Sequence, residues 1–450
     1  MTENFYARCM NTEHDLCVPI ATPAVMNNIP KLVAATVNDE ERPIATIDLE
    51  HLQVCDYTRF ERTSELQRAT IQRLRQESPI RTDEMAFLAF RSMVTFVWPE
   101  PKSNDDVIRV ANFEHGVNHI LTAAALDVAA SLQQPEALLP YWGRLAFLRV
   151  MAELPEEQVA QYGLEKVACT LLKRPAFNAT TYALDAGEAV IALNFALEPL
   201  LKNLNKHLLH FRHTEHLAGP MRMPRAWSAL LPTVRYLWAN GPANALLKDC
   251  LFFDQDVLIT AHNLTASQVD FILMHELGHV LLDHPRRYKA LKDAGGDVSA
   301  IRHEFEYNAD TFALGLVRSR ALNGVRYILS VNRTKGTVIT EDEAIAPLGK
   351  YLREYEAICL LFAYMRFIDE AGQFLKARLG GNLGFRERLD THPRACDRLN
   401  RLGTMLLGDV PYSTDLLRYA DDFFAKLMAY LEELPDRQLM APMDTRDEQA

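Results

Sequence analysis

One stretch constrains this chain of 450 residues more than any other: Asp270-Phe-Ile-Leu-Met-His-Glu-Leu-Gly-His-Val-Leu-Leu282. Within it, His275 and His279 stand four apart. Residues at that spacing share one face of an α-helix, so the pair can offer two imidazole nitrogens to a single metal ion. Glu276 sits one step round the same helix, close enough to hold a water on that metal. The stretch must therefore lie in the interior of a well-formed helix.

The flanking residues predict where that helix begins and ends. Thr265-Ala-Ser-Gln268 has the form of a capping box, with the Thr265 hydroxyl available to the backbone N–H of Gln268 and the Gln268 amide reaching back. Pro285 reads as the stop. Before the box, Asp256-Val-Leu-Ile-Thr260 reads as a strand, and its edge is a place where an extended peptide could add as a further strand.

A metal site of this kind needs a third protein ligand, with a fourth position left for water. Glu306 is the best donor, in Glu304-Phe-Glu-Tyr-Asn-Ala-Asp-Thr-Phe-Ala-Leu314. On a helix Glu306 and Asp310 fall on one face, beside an apolar stripe of Phe305, Ala309, Phe312, Ala313 and Leu316 that would turn this face inward. A carboxylate turned toward a core needs a partner. A metal supplies one for Glu306, and a ligand imidazole N–H supplies one for Asp310, which would fix that ring's tautomer from behind. The plainer reading of the same residues is an acidic helix face paired with Arg302 or Arg318. Glu304 points elsewhere on the helix and is the weaker ligand.

Composition limits what such a site can serve. The chain is 48% hydrophobic with a formal charge of −11, so it can bury a substantial core and lacks the basic face that nucleic acid or an anionic membrane would demand. Nothing reads as a secretory signal or as a membrane span of about 20 apolar residues. The 7 cysteines are scattered without a Cys-x-x-Cys pair, which suits reduced thiols in a cytoplasmic protein and offers no cysteine metal site.

Along the chain, residues 1–175 read as mixed and then helical, with a strand-like Ile44–Leu49 and helical patterns at Thr63–Arg75 and Val117–Leu132. This part is assigned to packing or to selecting a substrate or partner. Residues 176–410 form the second region, with short strands at Thr180–Asp185 and Glu188–Leu193, a helix over Leu197–Phe211, then the two ligand helices. Residues 411–450 read as a helix capped at Ser413 or Thr414, ended by Pro435, and an acidic tail that frays. His207, His210, His213 and His216 recur at intervals of three and read as a solvated helix face; His284 and His303 read as surface histidines.

The ordered motifs resemble a known group. His-Glu-Leu-Gly-His followed by Glu-x-x-Ala-Asp-x-Phe-Ala, and then Thr391-His-Pro393 with Arg398 and Leu402, is similar to the gluzincin peptidases of the HtpX and CAAX prenyl protease family. Residue by residue, that resemblance implies His275, His279 and Glu306 as zinc ligands, Glu276 as general base, Asp310 behind a ligand, and His392 with Arg398 near the substrate oxyanion. It covers about residues 250–402. This chain lacks the spanning segments of many members, and its interval from His279 to Glu306 is compact, as in the cytosolic ImmA/IrrE regulatory proteases.

These readings converge on an α+β fold, mainly α: a zincin-like metallopeptidase domain with a small sheet, preceded by a helical N-terminal region. The expected activity is zinc-dependent endoproteolysis with one zinc per chain, acting on a protein or peptide and not on nucleic acid. Glu276 would take a proton from the attacking water and return it to the leaving amine. The alternatives are a regulatory protease of the ImmA/IrrE kind with one protein target, or a silent zinc-binding regulatory protein.

Overall fold

The computed structural model describes residues 63–80 and, with gaps that include 247–254 and 386–392, residues 146–440. Nearer the N-terminus it describes two short antiparallel ladders, β1 (Val18–Pro19) with β4 (Phe96–Val97) and β2 (Thr46–Asp48) with β3 (Gln53–Cys55). The expected strand at Ile44–Leu49 contains β2. The helix expected at Val117–Leu132, the tail after residue 440 and His392 lie outside the described residues.

The architecture is mainly helical with one three-stranded sheet of order β5-β7-β6. Strand β5 (Val167–Leu172) runs parallel to β7 (Ala189–Asn194), and β6 (Ala179–Ala183) pairs antiparallel with β7 at the edge. All of β7 is buried, whereas β6 is mostly half-exposed. Strands β6 and β7 fall where the alternation predicted them. Strand β5 is a correction, because Val-Ala-Cys-Thr-Leu-Leu lies in a stretch read as helical. A strand covered on both faces is a plain apolar run without alternation, and periodicity does not separate that from a helix.

Helix α1 (Glu65–Glu77) is fastened to this sheet through its cap. Ser64 and Gln67 form a capping box, the Ser64 hydroxyl accepting from Gln67 N and the Gln67 side chain accepting from Ser64 N. The same Gln67 amide donates to the carbonyls of Lys166 (2.6 Å) and Ala189 (3.1 Å), at the starts of the parallel strands. Gln67 is buried, and every polar atom of its side chain is used.

After the short α2 (Glu156–Tyr162) and the sheet come α3 (Leu197–His213), α4 (Arg222–Trp238), α5 (Gln255–Leu281) and α6 (His284–Asp293). These are followed by α7 (Ser299–Lys335), α8 (Glu341–Leu379), α9 (Ala395–Leu407), α10 (Asp415–Glu433) and α11 (Asp436–Leu439). The C-terminal α10 starts where the sequence predicted, with the Thr414 hydroxyl accepting from Leu417 N. The central element is α5. It packs against α3, α7 and α8, and β6 lies across it. Among the described residues no helix is long and apolar enough to cross a membrane.

The boundaries of α5 overturn three expectations. Asp256–Thr260 is helical, so no sheet edge exists there; Val257, Ala261 and Leu264 are buried at helical spacing while Asp256 and Thr260 face out. Thr265 and Gln268 stand mid-helix and cap nothing. The Thr265 hydroxyl donates back to Ala261 O (2.7 Å) and accepts from Asn205 Nδ2 (2.9 Å), and Gln268 accepts from Asn205 Nδ2 (2.8 Å) and donates to Ala357 O (3.1 Å). Tyr364 completes this buried network by donating to Asn205 (2.9 Å), so the residues read as a cap instead tie α5 to α3 and α8. The helix stops at Leu281, and Pro285 opens α6, where its missing N–H costs nothing.

The histidine row along and just after α3 is also corrected. His207 is fully buried with Nδ1 2.7 Å from Asn203 O, and only His213 and His216 are exposed.

Candidate metal centre

Two helices build the centre, and a glycine lets them meet. A Cβ on Gly278 would come within 3.1 Å of Ala309 Cα and 3.2 Å of a Phe312 ring carbon, so only glycine permits α5 and α7 to lie this close. Ala309 is itself fully buried at the crossing. The close approach lets short carboxylate side chains on α7 reach the imidazoles of α5.

At that crossing His275, His279 and Glu306 converge, with one ligand atom from each lying within 4.8 Å of the others. The Nε2 atoms of His275 and His279 are 3.0 Å apart, and they lie 3.4 Å and 3.5 Å from Glu306 Oε2 and Oε1 respectively. A tetrahedral metal holding N and O ligands at about 2.0–2.2 Å keeps them about 3.3–3.5 Å apart. The observed triangle is close to that size, and two imidazoles with one carboxylate is a donor set suited to a divalent cation of the zinc type. The three residues therefore form a group that could hold a metal ion.

Each imidazole is held from behind by a different group. His275 Nδ1 lies 2.8 Å from Asp310 Oδ1. Asp310 in turn accepts from Arg398 Nε (2.8 Å) and Nη2 (2.6 Å), a two-pronged pair in which both side chains are almost wholly buried. The Arg398 guanidinium also stands over the Phe362 ring at 5.0 Å and lies 3.8 Å from Glu306 through Nη1. The resemblance implied Arg398 near a substrate oxyanion; its Nε and Nη2 go to Asp310, and its Nη1 faces Glu306.

On the other side, His279 Nδ1 is 2.9 Å from Nδ1 of His284. His284 was expected on the surface. It is instead 2% exposed, stacked on Phe305 with ring centroids 4.2 Å apart and planes 9° from parallel.

These environments separate the His275 and His279 rings electrically. Burial opposes charge on His275, but the carboxylates of Asp310 and Glu306 outweigh it and raise its pKa to about 9. Burial and the neighbouring His275 drive His279 down to about 3, while burial and Arg287 bring His284 to about 4. Burial would raise Asp310, yet Arg398 wins and holds it below the usual carboxylate range.

Glu276 is buried and directed toward the sheet. Its carboxylate accepts from the Thr181 hydroxyl at 2.7 Å, which connects the residue expected to act as base to edge strand β6. Thr181 and His284 are the two site residues that the sequence reading missed. Thr181 lies in a segment read as a strand, so its place on the sheet was legible and its contact with α5 was not.

Residues 238–407 match the profile of the peptidase U49 family, a span that includes α5, α6, α7 and Arg398. The match covers well under half of the chain and supports a peptidase. No curated protein and no solved structure matches the chain.

Proposed function

We propose that the protein is a zinc-dependent endopeptidase whose metal is held by His275, His279 and Glu306 and whose general base is Glu276. The observation that carries this reading is the convergence of those three ligand groups at near-tetrahedral separations, with Glu276 on the next position of the same helix. A zinc ion bound there supplies Lewis acidity, lowering the pKa of a water in its open position and polarising a carbonyl. Glu276 accepts the proton of the attacking water and passes it to the leaving amine, while Thr181 fixes the carboxylate's direction through its hydrogen bond. Asp310 and Arg398 hold the His275 ring so that Nε2 is presented to the metal. Strand β6 pairs only with β7 among the described residues, and its outer edge offers backbone groups to an extended peptide beside Glu276.

The finer assignment, to the gluzincins that include HtpX and the CAAX prenyl proteases, rests on the order of the three motifs. The compact interval between His279 and Glu306, which holds the ten-residue α6, favours in its turn a regulatory protease of the ImmA/IrrE kind. Both readings share one chemistry and differ in substrate range.

The test is Glu276→Gln, which leaves all three ligands in place. Purified wild type should carry about one zinc per chain, and the variant should keep that zinc while peptide hydrolysis falls about 10²- to 10⁴-fold. Equal cleavage by the variant, or wild-type protein that binds no zinc, would sink the proposal. The same variant used as a trap in native cells separates the two kinds of protease: one captured protein points to a regulatory enzyme, many to a general one.

A further inference from the structure

We propose that His284 is the positioning residue for the metal ligand His279, and that it acts as a hydrogen-bond acceptor in one tautomer. This rests on the reading of His279 as a metal ligand. Three observations carry it.

The first is the contact itself. His279 turns Nε2 toward His275 and Glu306, which leaves Nδ1 to carry the proton of the neutral ring, and among the described residues that Nδ1 faces His284 Nδ1 at 2.9 Å. Two ring nitrogens at this separation must share one proton, one giving and one accepting. If His279 offers its Nε2 lone pair to a metal, it must donate from Nδ1, so His284 must accept at Nδ1 and carry its own proton on Nε2. The opposite arrangement would put a proton on His279 Nε2 and close it to the metal.

The second is the chain path. On a continued helix residue 284 would lie about 140° round the axis from His279, at about 100° per residue, and the rings could not touch. The chain instead breaks at Asp283, which has φ 53 and ψ 32 and is the one non-glycine with positive φ among the described residues. That conformation is disfavoured for an L-residue, and here it folds His284 back against the last turn of α5.

The third is the way the ring is held. It lies flat on Phe305, one position before Glu306 on α7, with Arg287 over the same Phe305 ring at 4.9 Å. His284 Nε2 has no hydrogen-bond partner among the described residues, and the contact that bears on its tautomer there is the one with His279. The residue that supports one ligand is thereby stacked beside the third.

The experiment compares zinc affinity in the full-length protein, measured by competition with a chelator, for His284→Asn and His284→Phe. Asparagine places an oxygen acceptor close to where Nδ1 lies; phenylalanine keeps the stack on Phe305 and removes the acceptor. His284→Phe should weaken zinc about 10- to 100-fold, the range found when such partners of metal-ligating histidines are lost. His284→Asn should recover most of that affinity. Equal weakening in both variants, or unchanged affinity in His284→Phe, would overturn the proposal. Nitrogen NMR of histidine-labelled, zinc-loaded wild type gives a check that needs no variant: His284 should be protonated at Nε2 and bare at Nδ1, and the reverse tautomer would be fatal to the idea. Wild type that binds no zinc, or His279→Ala that binds it as tightly as wild type, would instead overturn the metal reading on which the proposal rests.

Discussion

The two imidazoles of the centre sit four residues apart on one helix, yet they are supported by opposite means. Behind His275 stands a buried chain of charges, Asp310 and then Arg398, with Asp310 Oδ1 at 2.8 Å from the ring and 2.6 Å from Arg398 Nη2. Behind His279 stands another neutral ring, His284, resting on an aromatic face. Asp310 and Glu306 raise the pKa of His275 to about 9, whereas burial and the neighbouring His275 lower that of His279 to about 3, and among the described residues no carboxylate stands behind it to offset them. A ligand held by charge is directed strongly but ties the fold to an ion network. One held by a neutral contact has a defined tautomer at little electrostatic cost. The two supports can be broken separately, and they should fail differently.

The largest effect is expected from Asp310→Ala. Among the described residues Arg398 would keep the Phe362 ring and Glu306, at 3.8 Å, as partners for a charge that is 7% exposed, and removing one member of a buried pair typically costs about 3–5 kcal/mol. Urea denaturation of the metal-free variant should show that loss, together with weakened zinc binding. His284→Phe should lower zinc affinity with much less effect on metal-free stability. If Asp310→Ala left the metal-free protein as stable as wild type, the claim that the His275 side is coupled to the fold through charge would fail.

Gly278 supplies the next test, because it sets the distance on which both supports depend. An added methyl at 3.1 Å from Ala309 Cα must push α7 away by some tenths of an ångström. Gly278→Ala would gain about 1 kcal/mol in helix propensity against about 1–3 kcal/mol of overpacking, a net change of about 0–2 kcal/mol in stability. Zinc affinity should fall more than that small loss suggests, since Glu306 moves with α7. A variant with wild-type affinity would show that the approach of the two helices is not what brings the third ligand into reach.

How much of this was legible depended on whether the deciding contact was local. The spacings of His275 with His279 and of Glu306 with Asp310 are properties of a helix, so they survive intact from sequence to structure. Ser64-x-x-Gln67 and Thr265-x-x-Gln268 show the limit of the same reasoning. Both have the form of a capping box; the first is one, and the second lies inside α5 as part of a network with Asn205 and Tyr364. What differs is the preceding chain. Val257, Leu258, Ile259 and Thr260 favour a strand by local preference, and burial of Val257, Ala261 and Leu264 among the packed helices overrides it. His284 was missed for a related reason: its contact with His279 needs the left-handed turn at Asp283, which no spacing rule anticipates. Arg398 was singled out through resemblance, and only the folded chain could show that its fork goes to Asp310.

The smallest expected effect isolates the neutral support from everything else. Phe305→Leu keeps an apolar side chain on α7 and removes the face on which His284 lies and over which Arg287 sits. Loss of an aromatic stack costs about 0.5–1.5 kcal/mol, so the metal-free protein should be only slightly destabilised. His284 would then hold its tautomer but not its angle, and zinc affinity should drop by about 2- to 10-fold, less than for His284→Phe, if up to that same energy is lost from the bound state. Among the described residues the Asp310–Arg398 pair has no hydrogen bond or ring contact with Phe305 or His284, and it should keep its contribution to stability in the variant. A double variant, Phe305→Leu with Asp310→Ala, should therefore be additive in metal-free stability, as independent sites are. Strong non-additivity there would show that the two supports are one network, and that the contrast between the two histidines is only apparent.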